Sequence, residues 1–332
     1  MNKIKPVEIY DLILDIISSD NAIIEELMVG LTWTYCRSDS VGLCMTAESR
    51  SRTFEWPGSL KGQLVSHVAH WIRDWDPMKS TIAMAAINSV INRNSIDNKK
   101  TLIQTTKGAA NLAVFEYFLP LIKGKNTVVI GRYPGLEVIK QQHDLKVIEL
   151  NPAANDLPAQ SCEYVLPEAE WVFLTGTSIA NKTFPRLMEL SKNSNVVLMG
   201  PTVPWLDELS VFGVDFLAGI QVVNDQRLKQ IVSEGGGVNI FSEAVQYLIY
   251  DLGSKKLEQT RGKISDIVHQ REMLKDEMEI WYKNISHGTF PKVFELVALD
   301  EQLSVLDSQY KKMWDLRSCF KKMSDECKTR KK

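Results

Sequence analysis

No apolar run among the 332 residues approaches the roughly 20 consecutive apolar positions that a bilayer-spanning helix requires. The first twenty residues contain no uninterrupted apolar core either, because Glu8, Asp11 and Asp15 break it. A secretory leader is therefore not expected, and the protein reads as soluble and cytoplasmic. An excess of one charge is also missing. The formal net charge of −2 gives no whole-molecule attraction to nucleic acid or to an anionic membrane, so neither is expected as a partner. Cysteine is sparse: Cys36, Cys44, Cys162, Cys319 and Cys327 are scattered, odd in number and form no C-x-x-C pair. Reduced thiols fit that pattern better than a disulfide framework or a thiolate metal site. No H-E-x-x-H, Walker loop, nucleophile elbow or full G-x-G-x-x-G fingerprint occurs, so the sequence names no catalytic residue, cofactor or metal ligand set.

What is present divides the chain by pattern. Ile9, Leu12, Ile13, Ile16 and Ile17 recur at helical spacing. Strand-like runs at Gly30–Cys36 and Val41–Thr46 flank the turn-prone Ser38-Asp39-Ser40. Two helices are expected next, Leu60–Trp75 with Leu64, Val68, Trp71 and Trp75 on one face, then Met78–Asn92. Asn92–Thr106 reads as a polar linker. Residues 1–100 thus suggest a small α+β domain. After a helix at Asn111–Ile122, apolar β-branched runs alternate with helix-length segments: Asn126–Gly131, Leu145–Glu149, Trp171–Thr175, Asn195–Gly200 and Asp215–Gly219. Short continuous apolar runs in that arrangement imply an α/β, Rossmann-like, doubly wound parallel sheet over residues 107–250. Leu257, Ile264, Ile267, Leu274, Met278, Trp281 and Ile285, then Leu296, Leu299, Leu303, Leu306, Tyr310 and Met313, step by threes and fours. An antiparallel helical hairpin over 254–320 follows, broken at Ser286–Pro291 and trailed by a basic tail, 321–332.

In an open parallel sheet, ligands bind at the carboxyl ends of the strands. Gly131-Arg132-Tyr133-Pro134-Gly135 permits tight turning and close backbone approach, with a plain strand–helix turn as the equal alternative. Glu149 stands where Rossmann-like domains place a ribose-binding acid, or is a solvated strand end. Thr175-Gly176-Thr177-Ser178 with Asn181 concentrates hydroxyls and an amide; Thr175 and Thr177 read as ligand contacts and Thr183 as the cap of the next helix. Gly200-Pro201-Thr202-Val203-Pro204 is stiffened by its prolines. Glu234-Gly235-Gly236-Gly237 reads as a hinge. His67, His70 and Asp74 at i, i+3 and i+7 could bind a metal, although a wetted helix flank is the favoured reading.

These clusters occur in one order that resembles the putative heavy-metal chelation family of bacterial and archaeal proteins. The resemblance rests on Val129–Pro134, Leu174–Ser178 with Asn181 and Thr183, Gly200–Thr202, Phe212-Gly213, Ala218-Gly219 and Glu234–Gly237. It extends to Gly30–Trp33, Gly42-Leu43, Trp75–Pro77 and Ala85–Asn88, and spans roughly residues 8–250. The resemblance implies an enolase N-terminal-like α+β domain joined to a Rossmann-like domain, with a site between them. It carries over Gly131, Tyr133, Pro134, Thr175, Gly176, Thr177, Asn181, Gly200, Pro201, Thr202 and, from the first domain, Asn88. Arg132, His67 and His70 are not carried over, and the hairpin lies outside. The expected function is binding of a small polar, anionic or metal-chelating metabolite in the interdomain cleft, with a role in metal homeostasis. Two alternatives stay open: a transferase or lyase acting on a nucleotide-like or tetrapyrrole-like substrate, and an adaptor whose hairpin mediates homo-oligomerisation or docks a protein partner.

Overall fold

The computed structural model describes residues 5–48, 53–94, 100–105, 109–141, 143–285 and 288–329. Met1–Leu252 gather into one compact unit and Gly253–Lys332 into a second.

The first unit begins with helix α1 (Ile9–Ile17), which buries Ile9, Tyr10, Ile13, Leu14 and Ile17. Leu12 is only partly buried and Ile16 is exposed, so the buried stripe is centred one position away from the expected one. Three strands follow, β1 (Glu26–Val29), β2 (Trp33–Arg37) and β3 (Val41–Met45), in an antiparallel sheet of order β1-β2-β3. The β2–β3 pair and its Ser38–Ser40 turn were expected; β1 was not, because its four residues open on Glu26 and show no regular alternation.

The expected single helix at 60–75 is shorter and bent. Helix α2 covers only Val65–Ala69, and a 3-10 turn carries the chain through His70–Arg73. The tighter turn rotates later side chains out of α-helical register, which leaves Trp75 84% exposed rather than in the core. Helix α3 (Pro77–Ile91) starts where its chemistry dictates: Asp76 caps the Met78 and Lys79 amides, and Pro77 occupies the first turn. Gly42 lets this helix lie directly on β3, since a Cβ there would sit 2.1 Å from the Ala85 carbonyl oxygen.

The expected linker contains a strand, β4 (Thr101–Ile103); residues 95–99 and Thr106 of it lie outside the described residues. Helix α4 (Ala113–Ile122) then leads into β5 (Thr127–Ile130), α5 (Leu136–Lys140), β6 (Leu145–Glu149), β7 (Leu157–Pro158), α6 (Cys162–Val165), β8 (Trp171–Thr175), α7 (Thr177–Ala180), α8 (Phe184–Leu190), β9 (Asn195–Met199), β10 (Phe216–Val222), α9 (Asp225–Ser233), α10 (Ile240–Glu243) and β11 (Val245–Asp251). The large sheet runs β4-β11-β10-β9-β8-β5-β6-β7. From β5 to β10 the strands pair in parallel. Numbered by appearance, those six strands read 3-2-1-4-5-6, the doubly wound Rossmann order. Every residue of β5 is buried, and since alternate side chains point to opposite faces, both faces are covered. The sheet is mixed rather than wholly parallel, because β11 and β4 extend it antiparallel beyond β10.

The second unit is two long helices, α11 (Gly253–Asn284) and α12 (Val293–Thr329). Arg271 pairs with Asp300 at 2.5 Å and Lys292 with Glu277 at 2.6 Å, ties that fix the two helices as an antiparallel pair. Leu257, Ile264, Ile267, Leu274, Met278 and Trp281 are half-buried on one helix, and Leu296, Leu299, Leu303, Leu306, Tyr310 and Met313 on the other. Ile285 is exposed. Ser286, His287 and the tail residues Arg330–Lys332 lie outside the described residues.

Candidate functional site

Strand order reverses between β5 and β8, the position at which open α/β sheets bind ligands between diverging loops. Two glycines allow the loops to meet there. Gly131 has φ of +102°, and a Cβ on it would stand 3.2 Å from Thr175 Cβ. Gly200, at the end of β9, has φ of +108°, and a Cβ there would lie 4.0 Å from the Tyr133 hydroxyl. Both positions are left-handed, where an L side chain is strained.

Tyr133 therefore sits over the ends of β5, β8 and β9, its ring held edge-on by Phe115 at 5.2 Å. Its hydroxyl is buried beside the Thr175 side chain and makes no hydrogen bond of full geometry among the described residues. Burial drives its pKa above the usual tyrosine range; hydrogen bonding with the Thr175 side chain opposes this and the Glu149 charge reinforces it. The group is a protonated donor at any physiological pH. Beside it, the Thr175 and Thr177 hydroxyls share a 2.9 Å hydrogen bond, and Ser178 Oγ donates to the Thr175 carbonyl at 2.7 Å. Glu149, half-buried, closes the neighbouring strand, and its Oε2 accepts the Leu150 amide at 2.7 Å. Pro134 is exposed on the same loop, its carbonyl accepting from Asn111 Nδ2 at 2.8 Å.

Other expected site residues serve the seam between the small sheet and the large one. Gly176 abuts the next loop so closely that a Cβ would stand 2.9 Å from Val203 N. Pro201 and Thr202 are buried; Thr202 Oγ1 accepts the Met45 amide at 3.0 Å. Asn88 is fully buried. Its Nδ2 donates to Leu43 O and Thr202 O, both at 2.9 Å, which staples α3 and β3 to the loop after β9. Asn181 is exposed, and its Oδ1 accepts from both the Thr183 amide and the Thr183 hydroxyl. That arrangement corrects the expected cap: Thr183 makes no side-chain bond to α8 because its hydroxyl is turned back to Asn181.

One residue escaped the sequence reading. Lys182 has φ of +69°, the one positive value outside glycine among the described residues. Its Nζ donates to Ser80 Oγ at 2.5 Å and to Ala180 O at 3.1 Å. Burial pulls the ammonium pKa down to about 8, partly offset by Asp74 and Cys44. The available signal was its position just past a short helix, where glycine or asparagine is usual.

His67, His70 and Asp74 fall across the same bend that shortened α2. His67 and His70 are exposed, while Asp74 accepts the Asp76 amide at 2.9 Å and faces Lys79. Among the described residues no three histidine, cysteine, aspartate or glutamate side chains converge as ligands. Burial pushes the Cys36 and Cys44 thiols up to about 12 and Cys162 to about 11, so none is a ready thiolate. No described helix is long and apolar enough to cross a membrane.

The family pattern described as putative heavy-metal chelation matches residues 113–251. A second pattern with the same description matches residues 10–91. The chain belongs to this family. A solved family structure from Desulfitobacterium hafniense, a protein with unknown function, is 29% identical with a TM-score of 0.63, covering 74% of this chain and 97% of that one. A second, from Pyrococcus horikoshii, is 20% identical with a TM-score of 0.59 over 73% and 97%, and speaks to fold alone. An uncharacterized protein of Methanocaldococcus jannaschii is 30% identical over 89 residues, 25% of this chain and 34% of the relative. The match thus spans about a third of that relative's length. The family's description supports a metal-chelation role at a coarse level. The donors described above do not fit a bare soft ion held by the chain itself.

Proposed function

We propose that the protein binds a small oxygen-rich metabolite, anionic or already carrying a chelated metal, in the crevice between β5 and β8. The observation that carries this reading is the Tyr133 hydroxyl, a buried donor beside Thr175 that makes no hydrogen bond of full geometry among the described residues, over a reversal of strand order. A buried hydroxyl left unbonded costs about 1–3 kcal/mol, so a ligand oxygen accepting from it would recover that energy. Thr175 and Thr177 add adjustable hydroxyls. The lack of a convergent ligand set among the described residues favours a metal that arrives with its own chelator.

Calorimetry with citrate, nickel–citrate, ferric citrate, nickel chloride and zinc chloride tests the proposal. Citrate or its chelates should bind, and Tyr133→Phe and Thr175→Val should each weaken binding several-fold. Tight uptake of the bare ions, unchanged in both variants, would overturn it.

A second reading concerns the hairpin. Ile280, Phe294, Val305 and Trp314 are each more than half exposed, more apolar surface than a solvated helix pair needs. Self-association through α11 and α12 would cover it. Light scattering should then give a dimer for the full chain and a monomer for residues 1–252.

A further inference from the structure

The small antiparallel sheet ends on β1, and the outer side of that strand is only half covered. Upstream of β1 the chain itself fills that side. Ile24 N donates to Gln63 O at 2.9 Å, Gly62 N donates to Ile24 O at 2.8 Å, and Ile23 bridges antiparallel to Leu64. Along β1 itself no such cover continues. Gly30 N bonds Trp33 O, so by the alternation of an antiparallel pair Met28 and Glu26 turn their backbone groups to β2, while Leu27 and Val29 turn theirs outward. Among the described residues none bonds those outward groups.

A cleft of about 550 Å³ lies against this edge, within the roughly 300–1,000 Å³ usual for ligand clefts. Five consecutive residues, Glu25–Val29, line it. Successive side chains of a strand point to opposite faces, so a wall of consecutive residues is the strand's edge and not a face. The rest of the wall is mostly apolar: Phe54 and Trp56, stacked at 5.3 Å with 5° between their planes, then Pro57 and Leu60. Trp56 and Leu27 pack against the same core. Charge does not select the occupant, since Glu25 and Glu26 are balanced by Lys61 and Lys229, and Glu26 pairs with Lys229 at 2.5 Å.

We infer that this edge takes up an extended, uncharged peptide segment of another protein, apolar at alternate positions, which adds a fourth strand to the small sheet. Main-chain bonds to Leu27 and Val29 hold the segment, and its apolar residues lie on the Phe54 and Trp56 rings. At about 3.4 Å per residue, the four residues of β1 give a track of about 14 Å. A second copy of this chain fits less well. Its β1 is already bonded to β2 and carries its own Phe54–Leu60 wall, whereas a single unpaired strand brings neither. The cleft shares no lining residue with the loops around Tyr133, so each site can be tested without the other.

Calorimetry and hydrogen exchange on the full chain with the peptide acetyl-Thr-Val-Thr-Ile-Thr-Val-amide provide the test. Two further peptides carry N-methyl groups on alternate backbone nitrogens, one on the odd set and one on the even set. They keep every side chain and need no altered protein. The unmethylated peptide should bind and slow exchange of the Leu27 and Val29 amides tenfold or more. The methylated peptide whose blocked amides face β1 should bind at least tenfold more weakly, and the other should keep most of its affinity. Val29→Pro, which removes an outward donor and no bond to β2, and Trp56→Ala should each lower the affinity at least tenfold, while Tyr133→Phe leaves it unchanged. Three results would overturn the inference: no binding at about 1 mM peptide, both methylated peptides binding as tightly as the parent, or a dimer of the full chain that the peptide disperses, which would make a second copy the occupant.

Discussion

Lys182 reaches from the loop after α7 to donate to Ser80 Oγ, 102 positions earlier, on helix α3. It does so from a left-handed backbone that glycine would adopt without strain. The side chain is thus retained at a position where backbone preference disfavours it, and its contact ties the two sheets' supporting helices.

The depressed Lys182 pKa has a signed consequence. The folded pKa, about 8, lies below the usual lysine value of 10.5, so the unfolded chain binds the proton more tightly. Stability should rise as pH climbs from about 8 toward 10.5 and fall as pH drops through 8. Urea midpoints at pH 7, 8, 9 and 10 for the wild type and Lys182→Met check this. The rise should be smaller in the variant, whose other titrating groups are the same.

Tyr133→Phe should separate stability from binding. Removing a buried hydroxyl that makes no hydrogen bond of full geometry should leave the free protein equally stable or about 1 kcal/mol more stable. The same change should weaken the citrate-type ligand. A variant that is destabilised by more than about 1 kcal/mol would mean the hydroxyl is bonded in solution.

Asn88→Leu removes both bonds of the staple and places an apolar group against the Leu43 and Thr202 carbonyls. A loss of about 2–4 kcal/mol is expected, read by denaturant unfolding. Gly42→Ala should cost about 3 kcal/mol or more, because its Cβ cannot fit beneath the Ala85 carbonyl.

Alkylation should report thiol environment. Cys319 is exposed, whereas Cys36, Cys44 and Cys162 are buried with raised pKa values. At pH 8, iodoacetamide followed by peptide mass mapping should label Cys319 well before those three. Fast labelling of Cys44 would show the seam to be open.

The sequence displayed five of the six parallel strands because each is a short apolar run, closed on both faces in Val128–Ile130 and Val196–Met199, but not β7, whose two residues are exposed. It hid β4, whose three residues sit inside a polar stretch, and β1, whose four residues open on Glu26 and show no alternation. The pairing of β11 with β10 is tertiary and leaves no mark on Val245–Asp251 itself. At the site, polar strand-end residues were visible, but whether each faces a crevice or a seam was not. Thr175 and Asn88 are similar in polarity; only packing makes one half-open and the other fully buried.

The path of β4 has a bearing on how ligands come and go. Ten positions after the end of α3, the chain joins the far edge of the eight-stranded sheet beyond β11. The N-terminal part is thereby laced to the Rossmann part at both its seam and its exit. A clam-shell opening would have to tear the Met45–Thr202 bond and the Asn88 staple together. Exchange of small molecules should therefore proceed by side-chain breathing at the loops. The Met45 amide should stay protected from deuterium throughout, exchanging only when the whole unit unfolds.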